Sequence, residues 1–169
     1  MLACKPCSTP IEVNPDDKKV VSKYGDDVPL TGIANYQKLV GKLIYLTMTR
    51  PDISYDVHCL SQVMHKSMQS HLRLAFRVLR YLKKEPGLGI TFRESDNSDL
   101  RVFVDSDWAK CKIIIRSITG YFVYLGNSLV SWKSKKQAIV SRSSTEAEYR
   151  AMCNVCCEVL WIRKVLADL

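Results

Sequence analysis

The amino-acid sequence predicts an α+β chain: a helical N-terminal half, then three antiparallel strands and a closing helix. Three observations carry this. Between residues 34 and 84 the apolar positions recur every three or four residues, the period of a helix with one buried face. Between 100 and 134 they alternate, the period of a half-buried strand. The polar run ESDNSD at 94–99 separates the two patterns and marks the boundary.

The elements follow in order. Residues 1–30 carry Pro6, Pro10, Pro15 and Pro29 among Asp and Lys, and read as an extended arm with no core of its own. The segment 31–93 is helical. Tyr36, Leu39, Val40, Leu43, Ile44 and Leu46 fall at helical spacing; Pro51 stands where a second helix starts; Ile53, Val57, Leu60 and Met64 follow at helical intervals. A third helix spans about 70–84, with Leu74, Val78, Leu79 and Leu82 inward, and Pro86, Gly87 and Gly89 end it. The segment 99–169 opens with Leu100, Val102 and Val104 alternating along a first strand. ITGYFVYLG (118–126) and SLVSWKS (128–134) read as two more, joined at Gly126-Asn127 by a hairpin turn. Ser143 with Glu146 forms a capping box for a last helix, which sets Ala147, Ala151, Val155, Val159, Ile162 and Leu166 on or near one face.

The chain has 169 residues, is 47% hydrophobic and carries a formal net charge of +8. That size and apolar content allow a packed core, and the positive balance fits either a polyanionic partner or an ordinary solvated surface. The 7 cysteines include a Cys4/Cys7 pair and Cys153, Cys156 and Cys157 in the last helix. The pairs lie far apart and no nearby His completes either, so the spacing argues for thiols in a reducing compartment, not for zinc. The first residues lack the apolar run of a signal peptide, and no stretch is long and apolar enough to span a membrane. The expected location is intracellular, with no membrane partner.

Two features bear on chemistry. Asp105 ends the first predicted strand, with Asp107 two residues on, and Glu148 lies in the first turns of the last helix. A helix packed across the sheet would bring Asp105 toward Glu148, and paired carboxylates hold Mg²⁺ for phosphodiester hydrolysis. The plainer account is a strand end and an acid suited to a helix N-terminus; Glu146 is already explained by the cap. Arg73, Arg77, Arg80 and Lys84 recur at steps of four, three and four, one basic stripe along the third helix. The stripe fits a phosphate backbone or a solvated helix face. His58, His65 and His71 all lie in the helical half, and no Gly-rich phosphate loop is present.

With these residues in view, nearly the whole chain resembles the C-terminal part of the Pol polyprotein of copia-type LTR retrotransposons. CKPCSTPIEVN (4–14), YQKLVGKLIYLTMTRPDISYDV (36–57) and RVLRYLKKEPGLGI (77–90) look like the end of the reverse transcriptase region. VDSDWA (104–109), RSITGYFVYLGNSLVSWKSKKQ (116–137) and SRSSTEAEYRAM (141–152) look like the start of the RNase H domain. The resemblance implies an incomplete RNase H-like unit over 99–169. It implies Asp105 and Glu148 as the first two acids of a cluster that binds Mg²⁺ and cleaves RNA in an RNA–DNA hybrid. It also implies partners: that hybrid or another nucleic acid, and the rest of a polymerase polyprotein. In the family the third and fourth acids fall beyond Leu169 and the polymerase aspartates before Met1, so the expectation is no independent nuclease or polymerase activity. Lys110, Cys111 and Lys112 follow DWA where the family has Gly and acids. A first strand lacking its second neighbour is expected to leave an apolar edge and a marginally stable or associating chain.

Two alternatives stand beside this. Arg77-Val78-Leu79-Arg80 matches the RxLR motif of secreted oomycete effectors, which act in the cytoplasm or nucleus of host plant cells and would bind host proteins to suppress defence or cell death. A non-catalytic nucleic-acid-binding module using the basic stripe is the other.

Overall fold

The computed structural model describes residues 3–11, 28–94, 97–111 and 114–169. Most of the predicted arm therefore lies outside the described residues, as do 95 and 96 of the predicted boundary. The fold is mixed α+β, with the helices first and a sheet and helix after them. The chain divides into two compact units, Met1–Gly89 and Ile90–Leu169. The division falls a few residues before the polar run. The backbone at Arg93 already belongs to the second unit: its N–H donates to Ser128 Oγ, and that hydroxyl donates to its carbonyl.

In the first unit, α1 (Ile33–Leu46) follows Gly32, whose φ of 89° is open to glycine at little cost. Tyr36, Val40 and Leu43 are its buried face, the spacing that the sequence predicts. A 3-10 turn (Pro51–Ile53) leads into α2 (Ser54–Ser61), and α3 is Gln69–Leu82. Met64, predicted within the second helix, lies beyond α2 but still packs on the core formed by Tyr36, Val40, Ile53, Val57, Ala75 and Val78. The Tyr36 hydroxyl donates to the Leu60 carbonyl at 3.0 Å, tying α1 to α2, and burial pushes its pKa up to about 12. The α3 N-terminus is closed by His71, whose Nδ1 accepts from the Met68 N–H at 3.0 Å.

The second unit is an antiparallel meander, β1 (Leu100–Cys111), β2 (Arg116–Leu125) and β3 (Ser128–Lys136), in the order β1-β2-β3. The predicted Gly126-Asn127 turn joins β2 to β3, with Gly126 at φ 56°. β1 runs on past the predicted strand. Residues beyond Asp107 pair again at Cys111↔Arg116 across a bulge that holds Ala109 at φ 52°. Asp105 therefore sits inside a strand, opposite Gly120, not at its end. Among the described residues β1 has one sheet neighbour.

The last helix, α4 (Ser144–Asp168), covers one sheet face. Val102, Val104, Tyr121, Val123 and Val130 meet Val155, Val159 and Ile162 there. Ser143 Oγ accepts from the Glu146 N–H, and the Glu146 carboxylate reaches back to the Arg142 N–H, one residue before the cap. Leu166, predicted on the inward face, is exposed because burial ends at Ile162. No helix among the described residues is long and apolar enough to cross a membrane.

Candidate functional site

The two acid-bearing motifs meet through one buried glutamine. Gln137 directly follows β3, and its N–H donates to the Ser117 carbonyl at 2.9 Å, which fixes the side chain beneath the sheet. Its Nε2 donates toward Ser106 Oγ (3.2 Å) on β1, Thr119 Oγ1 (3.1 Å) on β2 and the Ala147 carbonyl (2.9 Å) on α4. An amide has two N–H groups, so three acceptors share them. Ser141 Oγ donates to Gln137 Oε1 at 3.0 Å, and Trp108 Nε1 donates to the Ser141 carbonyl at 3.0 Å. The ties thus fall on the immediate neighbours of Asp105 and Glu148. Sequence reasoning missed Gln137: an amide at the end of a Lys-rich strand carries no periodic signal, although it closes the motif SWKSKKQ.

Strand alternation decides where the carboxylates point. Ser106 turns toward α4, so Asp105 stands on the opposite face, exposed to solvent, while Glu148 is half-buried on α4. Asp107 is exposed and lies 3.6 Å from Lys110. Glu146 is occupied by structure: Arg150 donates to it at 3.1 and 2.7 Å, and that pairing with the Arg142 N–H holds its carboxyl below the usual carboxylate range. Oxygen donors of this kind suit magnesium. In number they fall short: among the described residues no group of three or more His, Cys, Asp or Glu is placed to hold a metal ion. Asp105 and Glu148 do not by themselves fit a two-metal centre.

The basic stripe on α3 has a different neighbour from the one the sequence anticipates. Arg77 Nη2 donates to Thr9 Oγ1 at 3.0 Å, and Arg80 Nε donates to the Lys5 carbonyl at 2.8 Å. Lys83 Nζ donates to the Cys4 carbonyl at 2.8 Å, and the Cys7 N–H donates back to the Arg80 carbonyl. The N-terminal segment 3–11 thus lies on part of the stripe, because its carbonyls offer the cations acceptors. Arg73 is exposed, and Lys84 pairs at 3.7 Å with Glu85. Within the RxLR-like tetrapeptide Val78 is buried in the core and Leu79 packs against it.

A second polar cluster was not anticipated at all. Arg50, 3% exposed, forks onto Asp52 at 2.9 and 2.8 Å, donates to the Glu85 carbonyl at 3.1 Å and lies 5.7 Å from the Tyr81 ring centroid. The Tyr81 hydroxyl also donates to Asp52 at 2.8 Å. Burial alone would push the Asp52 carboxyl up; the bonds from Arg50 and Tyr81 outweigh it and hold the group below its ordinary value. The cluster joins the start of α2 to the end of α3.

The fold and the joined motifs define a mixed α+β segment with one acid on a strand and one on a helix, and the comparisons with known proteins agree on where such a segment belongs. The chain is 44% identical over all 169 residues to the retrovirus-related Pol polyprotein from transposon RE1 of Arabidopsis thaliana, and 43% identical to that from transposon RE2. It spans 11% of the length of each. It is also 38% identical over 128 residues, 75% of this chain and 90% of the relative, to secreted RxLR effector protein 161 of Plasmopara viticola. No protein-family model and no solved structure matches. The chain belongs to the copia-type LTR retrotransposon Pol family.

Proposed function

We propose that the chain is a segment of a reverse transcriptase/RNase H polyprotein that supplies two acids of the RNase H-like unit, Asp105 and Glu148, and does not cleave nucleic acid alone. The observation that carries this is the Gln137 knot, which ties Ser106 to Ala147 and so holds the two acid-bearing motifs as one piece. The knot positions the piece, and cleavage needs further oxygen ligands for Mg²⁺ from elsewhere in the polyprotein. The substrate of the assembled unit is the RNA strand of an RNA–DNA hybrid, and the net charge of +8 favours such a polyanion. The test is incubation of the pure chain with a labelled hybrid and Mg²⁺. Cleavage no faster than the protein-free control is expected; robust cleavage that Asp105→Asn removes would overturn the reading.

The effector relative, matched over 90% of its length, favours a second reading: a chain that acts in plant cells by binding host proteins. Expressed in leaf cells, the chain would then suppress elicitor-triggered cell death. Unchanged cell death removes that reading.

A further inference from the structure

We propose that residues 3–11 are a displaceable strap on the basic face of α3, competing with the phosphates of a nucleic acid for Arg77 and Arg80. The strap is held by polar bonds. Arg77 Nη2 donates to Thr9 Oγ1, Arg80 Nε to the Lys5 carbonyl and Lys83 Nζ to the Cys4 carbonyl, while the Cys7 N–H donates to the Arg80 carbonyl. Among the described residues, the helical core and the side chains packed on it include none of 3–11. Residues 3–6 and Ser8 are exposed, and Pro6 and Pro10 have no N–H to give. The segment therefore stays in place through neutral oxygens that accept from cations, with little apolar burial behind them. A phosphate offers the same N–H groups anionic oxygens in a bidentate fork, which a lone carbonyl or hydroxyl does not match.

The charges around the strap give the competition its direction. α3 and the residues just after it carry Arg73, Arg77, Arg80, Lys83 and Lys84, and the strap adds Lys5. The nearby acids are engaged or enclosed: Glu85 pairs with Lys84, Asp52 is held by Arg50 and Tyr81, and Asp56 is buried. Residues 3–11 contain no acid; Glu12 is the first in the chain and lies outside the described residues. The strap thus covers cations without neutralising them. A strap that is open only part of the time lowers the apparent affinity for a polyanion by the open fraction. The inference takes its nucleic-acid partner from the proposed function but none of the chemistry. α3 belongs to the first unit and Asp105 and Glu148 to the second, so hybrid cleavage tests that reading and hybrid binding tests this one.

The experiment follows the fluorescence anisotropy of a labelled RNA–DNA hybrid in about 50 mM salt, where phosphate contacts are strong. In the full chain, Thr9→Ala removes the Arg77 acceptor and Cys7→Pro removes the N–H that reaches the Arg80 carbonyl. Both variants keep every charge, Lys5 included, so a gain in binding comes from uncovering α3 and not from added charge. A strap closed about nine-tenths of the time costs about tenfold in affinity, so the double variant should bind up to about tenfold tighter than wild type. Adding Arg77→Gln and Arg80→Gln should abolish that gain. Hydrogen exchange of the wild-type chain reads the same competition without any substitution: saturating hybrid should speed exchange in residues 3–11 while slowing it in α3. Three results would each overturn the proposal. One is equal or weaker binding by the double variant. Another is a gain that survives loss of both arginines. The third is exchange in residues 3–11 that the hybrid leaves unchanged or slows, which would make the strap a fixed part of the surface.

Discussion

In the helical unit three helices close around Tyr36, Val40, Ile53, Val57 and Val78, and the polar cluster at Arg50 seals one end. In the sheet unit one helix backs one sheet face. Phe103 and Phe122 stand exposed on the other face, with Phe103 edge-on to Tyr124 at 6.0 Å, and Trp161 and Leu160 stand exposed on the far side of α4. Both units solve the same problem, burying a few apolar stripes with under a hundred residues each. Helices packed on one another bury a continuous core and leave Tyr45 and Met48 exposed near the end of α1; a three-stranded sheet with one helix buries one layer and leaves apolar side chains exposed on the bare sheet face and on the far side of α4. The contrast is between a core closed by several helices and one closed by a single helix. It is also easy to measure separately. All 3 tryptophans, Trp108, Trp132 and Trp161, lie in the sheet unit. Fluorescence follows that unit, and far-UV circular dichroism adds the helical one.

The largest expected effect tests the seal. Arg50→Ala removes a nearly buried cation, leaves Asp52 and the Glu85 carbonyl without their shared donor, and takes the cation from the Tyr81 ring. Breaking such a pair from one side costs about 4 kcal/mol. The helical transition in urea should move to much lower denaturant, while tryptophan fluorescence reports an unmoved sheet unit. A joint shift of both signals would mean that the two units unfold as one.

Asp56 gives the helical unit a pH dependence opposite in sign to that of Glu146 in the sheet unit, whose carboxyl is held below its usual range. It is 4% exposed, and its Oδ1 has no hydrogen-bond partner among the described residues. Burial, with a smaller contribution from the Asp52 charge, raises its pKa from 3.8 to about 6. The folded state therefore holds this proton more tightly than the unfolded chain. The contribution of Asp56 to stability is fully present below pH 4, falls as pH rises from about 4 to about 6, and is level above that, while Asp52, held below its ordinary value, contributes in the opposite sense at lower pH. The shift corresponds to roughly 3 kcal/mol. Asp56→Asn should flatten that slope in urea titrations followed by circular dichroism; an unchanged slope would assign it elsewhere.

The helices were legible because their signal is local: Tyr36, Val40 and Leu43, or Val78 and its neighbours, announce a buried face by spacing alone. The alternation along β1 and the Gly126-Asn127 turn were legible for the same reason. The site was legible only as motifs. That Ser106 turns inward and Asp105 outward follows the parity of Leu100, Val102 and Val104, the face that α4 covers; what the strand's pattern leaves open is which polar groups meet Ser106 there. Gln137, Arg50 and Asp56 were missed because each is a polar residue made structural by partners distant in sequence. The α3 stripe was read correctly as basic, but its engagement by residues 3–11 needs a contact across some seventy positions, from Arg77 to Thr9.

The smallest of the three effects tests the joint between the sheet and its helix. Gln137→Leu keeps much of the buried volume and removes the donor shared by Ser106, Thr119 and the Ala147 carbonyl. Leaving such groups buried without it costs about 2 kcal/mol. The tryptophan transition should shift by that amount, and Trp108 emission should change in the native state because Ser141, its hydrogen-bond acceptor, loses its own anchor. An unmoved tryptophan transition would mean that the Gln137 bonds do not hold the two acid-bearing motifs together, and that α4 stays on the sheet through Val102, Val123 and Val155 alone.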